Sequence, residues 1–243
     1  MMMCGWITPR GSGAVGADGS GRRATSGRHG AAAATIGLGP GAEDEAAGQD
    51  ARKYETTNPL VQKLLERWLA SVADACGPSV VRLLDVGIGE GFALARLGRR
   101  EATQVGIDFR FDKLHAARDR VAVGAVRGDA GMLPFPGDSF DLVLCTEVLE
   151  HLVRPADAVR ELARVTRGRC VVSVPWEPWF RLGNAARGKN LGRFGNDPEH
   201  VGWYSPRRLA RELEPWFGAV SVRRCLPWLI AVAEPVGHGN VGN

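Results

Sequence analysis

Between Val80 and Val174, short apolar runs alternate with stretches of helical period, and this alternation constrains the fold more than any other feature of the chain. The runs are Val80–Val86, Gln104–Ile107, the weaker Ala125-Val126-Arg127, Phe140–Cys145 and Cys170–Val174. The last two are strongly apolar, as strands covered on both faces must be. Helical patterns at Phe92–Arg99, Phe111–Val121 and Pro155–Thr166 separate the runs. A strand, a helix and a second strand in that order return the chain parallel to itself through a right-handed crossover. The pattern therefore predicts an α/β fold with a mostly parallel sheet and helices on both faces. Ala219–Val222 and Leu229–Ala233 are separated by too few residues for another crossover, so the last strands are expected to pair antiparallel.

The segments outside this block read differently. Leu60, Val61, Leu64, Leu65, Trp68, Leu69 and Val72 follow the spacing of an amphipathic helix. Asn58 is its candidate cap, Pro59 suits its first turn, and Gly77-Pro78 ends it. Residues 1–50 are rich in Gly, Ala and Ser, carry four arginines and show no sustained apolar period. Such a segment cannot bury enough surface to offset its ordering entropy, which predicts a disordered leader. One domain is then expected over residues 51–236, with 237–243 as a flexible tail. Hydrophobic residues at 44% and charged residues at 24% suit a soluble globular protein. No run approaches the ~18–20 apolar residues of a membrane span. The net charge of +4 permits an anionic partner without calling for one. The five cysteines are odd in number and form no C-x-x-C pair, which argues against a cysteine metal site and for a reduced, cytoplasmic setting.

Three sites in the alternating block carry chemistry. Asp85-Val86-Gly87-Ile88-Gly89-Glu90-Gly91 turns a strand into a helix with glycines at alternate positions. Glycine admits a ligand close to the backbone and supplies dihedrals denied to other residues. A dinucleotide fingerprint would require a glycine where Phe92 stands. The second site is Asp108, an acid at the end of the next strand, 21 residues beyond Gly87. At that place it can accept hydrogen bonds from both hydroxyls of a ribose. The third is Gly128-Asp129-Ala130, where Asp129 can accept from an exocyclic amine and the Ala130 backbone can meet a ring nitrogen, as an adenine requires.

On these residues, from Leu83 to Val174, the chain resembles the class I methyltransferases, closest to the subgroup of ubiquinone and menaquinone biosynthesis enzymes. The resemblance lies in LLDVGIGEG, VGIDF, GDAGMLPFPGDSFDLVLCTEVLEHL and ELARVTRGRCVVSVP. It implies a Rossmann-like, seven-stranded, mostly parallel sheet with an antiparallel last strand, and S-adenosyl-L-methionine as cofactor. It further implies that Asp85, Gly87, Gly89 and Gly91 line the methionine moiety and that Asp108 binds the ribose. Phe109 would flank the adenine, Asp129 and Ala130 would read its edge, and Thr146 would contact the cofactor beyond the fourth strand.

The acceptor side is less sharply written. His151, in Thr-Glu-Val-Leu-Glu-His-Leu, is a candidate general base; the alternative is that Glu147 and His151 brace the loop under the cofactor. His200 is a second candidate, on the loop before a helix that Ser205 and Pro206 open. Residues 176–204 form a lid-like insertion, aromatic and rich in arginine, in which Trp176, Arg181 and Tyr204 are candidate acceptor-binding residues. A small-molecule acceptor, methylated at oxygen or carbon and either lipid-like or anionic, is the first expectation. An RNA or protein substrate, or a cofactor-binding protein without catalysis, is the alternative.

Overall fold

The computed structural model describes residues 54–78, 80–97, 101–177, 179 and 201–236. Predictions for residues 1–50 and 237–243, and those for Arg181 and His200, lie outside the described residues.

The described chain opens with helix α1, Pro59–Ala75. The Asn58 side chain accepts hydrogen bonds from the Leu60 and Val61 amides at 3.0 and 3.3 Å, so two otherwise unpaired donors of the first turn are satisfied. Leu65, Trp68, Leu69, Val72 and Ala75 form its buried face. Strand β1 is Arg82–Val86, helix α2 Phe92–Leu97, strand β2 Thr103–Asp108 and helix α3 Phe111–Arg120. Strand β3 is Gly124–Arg127 and strand β4 Phe140–Thr146; a 3-10 turn follows at Leu149–His151. Helix α4 is Pro155–Val165, strand β5 Thr166–Pro175 and helix α5 Pro206–Leu213. Strands β6, Ala219–Cys225, and β7, Trp228–Glu234, complete the sheet.

The seven strands lie in the order β3-β2-β1-β4-β5-β7-β6. Strand β7 runs antiparallel to both its neighbours, and the pairs among the first five strands are parallel. Strand β5 starts earlier than its apolar pattern predicts, directly after α4, because Thr166 already pairs with Phe140.

Side-chain alternation assigns the helices to opposite faces. Leu83 of β1 and Leu142 and Leu144 of β4 face a core that includes Trp68 of α1, Leu94 of α2 and Leu114 of α3. Leu84, Val143 and Cys145 face the other core, built with Leu162 of α4 and Leu209 of α5. Strands β1 and β4 are neighbours whose following helices depart to different faces. Such a switch leaves a crevice beyond the strand ends, where open α/β sheets bind ligands. Among the described residues, no helix is long and apolar enough to cross a membrane.

Candidate active site

The crevice collects the three sites read from the sequence. Gly87, Gly89 and Gly91 have φ of 72°, 55° and 78°, the left-handed region that disfavours other residues. The Gly87 and Ile88 amides both donate to the Ile107 carbonyl, at 2.8 and 3.2 Å, which ties the loop to the end of β2. A Cβ on Gly87 would lie 2.3 Å from Val148 Cγ2, so the segment after β4 packs directly on this loop. Gly91 serves packing as well: a Cβ there would meet Ala117 Cα of α3 at 3.1 Å.

Asp108 stands across the loop. Its Oδ2 accepts from the Gly89 amide and its Oδ1 from the Arg110 amide, each at 2.9 Å, so two backbone donors orient the carboxylate. Phe109 follows, 66% exposed as a residue, and the Arg127 guanidinium lies 5.9 Å from its ring centroid. Arg127 Nε also donates to the Phe109 carbonyl at 3.1 Å. Both contacts hold an apolar ring in solvent where a flat ligand can use it.

At the third site the Gly128 amide donates to the Asp108 carbonyl at 3.1 Å, and Asp129 Oδ1 accepts from the Gly131 amide at 2.8 Å. The turn carrying Asp129 and Ala130 is therefore fixed to the end of β2. A brace downstream steadies it. Glu161 of α4 accepts from the Leu133 amide at 2.8 Å and from Arg164 at 2.8 and 2.7 Å. Arg164 also donates to the Phe135 and Leu133 carbonyls, at 2.7 and 3.0 Å. The Arg164 hydrogen bonds hold the Glu161 carboxyl below its usual range, and the residue is buried. Sequence reasoning missed this brace, since an ordinary helical Glu-Arg pair at i, i+3 gives no sign of a loop folded over it.

Asp85 lies beneath the glycine loop, 2% exposed, and its Oδ1 has no hydrogen-bond partner among the described residues. Burial, and secondarily the Asp108 charge, push its pKa up to about 7. A folded pKa above the unfolded value means that the native state binds the extra proton. The chain is therefore most stable, with respect to this group, below about pH 4, and that advantage is lost as pH rises to about 7. Asp85→Asn should flatten this slope and raise stability at pH 8 by an amount on the order of 4 kcal/mol at most. Urea unfolding at pH 5 and pH 8 measures it; a parallel pH profile in wild type and variant would refute the assignment.

On the acceptor side, Thr146 ends β4, and the 3-10 turn brings His151 to the same edge of the sheet with its side chain exposed. The Glu150 carbonyl behind it accepts from the Val201 and Gly202 amides at 2.8 and 2.9 Å. Trp176, just beyond β5, donates its amide to the Pro227 carbonyl at 2.8 Å. Its ring meets Trp179 edge-on at 6.2 Å, and the Arg224 guanidinium lies 5.1 Å away over it. Tyr204 departs from its expected role as an acceptor-facing residue. It is 2% exposed, packs with the α4 and α5 core, and donates its hydroxyl to Glu212 at 2.7 Å. Burial pushes its phenol well above the usual value, and its ring serves to fasten the segment before α5.

A buried acceptor without a partner below a left-handed glycine loop suits a ligand bearing positive charge. A carboxylate oriented across that loop suits a diol, and an exposed ring beside it suits a flat base. The residues thus fit S-adenosylmethionine, and fold and site together define a methyltransferase of the class I architecture. The profile described as "Methyltransferase domain" matches residues 84–172. The demethylmenaquinone methyltransferase of Roseiflexus sp. (strain RS-1) is 37% identical over 204 residues, covering 76% of this chain and 84% of that one. Solved structures agree in fold. The YcgJ protein of Bacillus subtilis superposes with a TM-score of 0.54 at 24% identity, over 65% of this chain and 71% of that one. A SAM-dependent methyltransferase from Aquifex aeolicus gives 0.54 at 17% identity, over 76% and 97%. The chain belongs to the class I S-adenosylmethionine-dependent methyltransferases, in the group related to quinone-biosynthesis enzymes.

Proposed function

We propose that this methyltransferase acts on a quinone-type ring, at carbon or oxygen. The observation that carries the proposal is the likeness to a demethylmenaquinone methyltransferase across 84% of that protein's length. The Trp176–Trp179 pair, with Arg224 over Trp176, supports it, because aromatic rings and a guanidinium favour a flat, electron-rich acceptor. RNA and protein substrates, and a role without catalysis, are not favoured by this kinship.

When bound, the cofactor supplies a methyl group already activated on a sulfonium. The chain's residues bind and orient. Asp108 would take the ribose hydroxyls, Phe109 would flank the adenine, and Asp129 with Ala130 would read its edge. Asp85, Gly87, Gly89 and Thr146 would line the methionine end, and Gly91 lets α2 start close enough to α3 for the loop to keep its shape. Most of the rate enhancement then comes from alignment and exclusion of water. The acceptor gains the methyl group and releases a proton, for which His151 at the exposed end of the 3-10 turn is the candidate base. Among the described residues, Cys76, Cys145, Cys170 and Cys225 are buried and none is in a disulfide, which supports a reducing, cytoplasmic setting.

Incubation of the full chain with labelled cofactor and, in separate reactions, reduced demethylmenaquinone, total RNA or a protein extract tests the acceptor class. Label is expected in the quinone. Label confined to RNA or protein would replace this proposal with another acceptor.

A further inference from the structure

Glu147 is one of two non-glycine residues among those described with positive φ, at 56°, and it directly follows β4. A left-handed backbone at a residue with a long side chain persists only where its surroundings impose it. Two of its bonds bear on that conformation. The Glu147 amide donates to the Ser173 carbonyl at 2.8 Å, and the carboxylate accepts from the Trp228 indole Nε1 at 2.8 Å. The indole is itself immobilised. Trp228 is 4% exposed and stacks on Trp68 of α1 with centroids 5.4 Å apart. Trp68 Nε1 donates to Ser173 Oγ at 2.8 Å, and that hydroxyl donates onward to the Leu229 carbonyl at 3.1 Å. The next residue along from Glu147 is Val148, whose Cγ2 occupies the space beside Gly87. A continuous physical chain therefore runs from the β6–β7 hairpin, through the carboxylate and Val148, to the glycine loop.

We propose that the Trp228–Glu147 hydrogen bond is a positioning device for the cofactor site. By holding Glu147 in its left-handed conformation it seats Val148 against Gly87, and so keeps the glycine loop in the shape that binds the cofactor. Trp228 is then a positioning residue for a ligand bound by other parts of the chain. This inference rests on the methyltransferase reading.

The test uses calorimetric binding of S-adenosylhomocysteine to the full chain, with thermal melting in parallel. A hydrogen bond to a charged acceptor sets the expected scale, so Trp228→Phe, which keeps an aromatic ring against Trp68, should weaken binding about tenfold. Glu147→Ala should do the same, and the double variant should bind no worse than either single one, since both remove one interaction. Glu147→Gln keeps an acceptor for the indole and should stay within about threefold of wild type. A purely structural role would move melting temperature and leave affinity unchanged. Equal affinities for Glu147→Gln and Glu147→Ala, additive losses in the double variant, or wild-type affinity in Trp228→Phe would overturn the proposal. If Trp228→Phe does not fold, the Gln and Ala variants at 147 decide it. Failure of the wild-type chain to bind at all would instead sink the methyltransferase reading.

Discussion

Asp108→Ala is expected to weaken cofactor binding by about two orders of magnitude or more, while the sheet stays folded. A carboxylate that accepts from both ribose hydroxyls makes two charge-assisted bonds, each contributing roughly 1.5–3 kcal/mol, so their joint loss exceeds a hundredfold in affinity. The structure adds a second loss. Asp108 Oδ2 holds the Gly89 amide and Oδ1 the Arg110 amide, so its removal also releases the loop that borders the site. Asp108→Asn separates the two contributions. Its amide oxygen can still accept from one backbone donor, and its affinity should fall between those of wild type and Asp108→Ala. Removing the negative charge should also lower the Asp85 pKa, because the Asp108 charge is the second cause of its elevation. Titration calorimetry across pH 5 to 8 reads both effects. Wild-type affinity in Asp108→Ala would remove Asp108 from the ribose site.

Gly87→Ala should be the most disruptive single-methyl change in the glycine loop. A φ of 72° disfavours any residue with a Cβ by roughly 1–2 kcal/mol. The added carbon would also fall 2.3 Å from Val148 Cγ2, well inside contact distance, so either the loop or the valine must move. Overpacking of this kind adds about 1–3 kcal/mol. Together they predict a fall in melting temperature on the order of 5–15 °C and loss of cofactor binding. The cause of the clash supplies its remedy. Val148→Ala removes the offending Cγ2 and should recover part of the stability in the Gly87→Ala background, a positive coupling between sites 61 residues apart in sequence. Simple additivity of the two substitutions would mean that Val148 does not limit the space at Gly87.

Much of the fold was legible because its signals are local. Apolar runs marked the strands, Asn58-Pro59 marked the start of α1, and the short link before Leu229 predicted the antiparallel pair that β6 and β7 form. That Gly87, Asp108 and Asp129 would come together was legible for a related reason, since a parallel sheet places successive strand ends at one edge. Boundaries fared less well. The start of β5 at Thr166 was hidden because Arg167, Gly168 and Arg169 interrupt its apolar pattern while its backbone is already paired. Tyr204 misled because an aromatic beside arginines can equally line a site or fill a core. Its bond to Glu212, and its packing against α4 and α5, decided for the core. The Glu161–Leu133 and Trp228–Glu147 bonds join residues 28 and 81 positions apart, and no local period records such meetings.

Strand β7 is last in chain order among the described elements, yet it lies between β5 and β6 and not at a border of the sheet. The domain is therefore closed from within. Until β7 is inserted, β5 and β6 each present an unpaired edge, the kind of surface that invites pairing with another chain. Trp228 begins that strand and supplies the indole beside Glu147, so the loop after β4 has this hydrogen-bond donor only when β7 is in place. Pairing of β7 and completion of the Glu147 loop thus depend on the same strand, and a nascent chain halted before Trp228 would lack both.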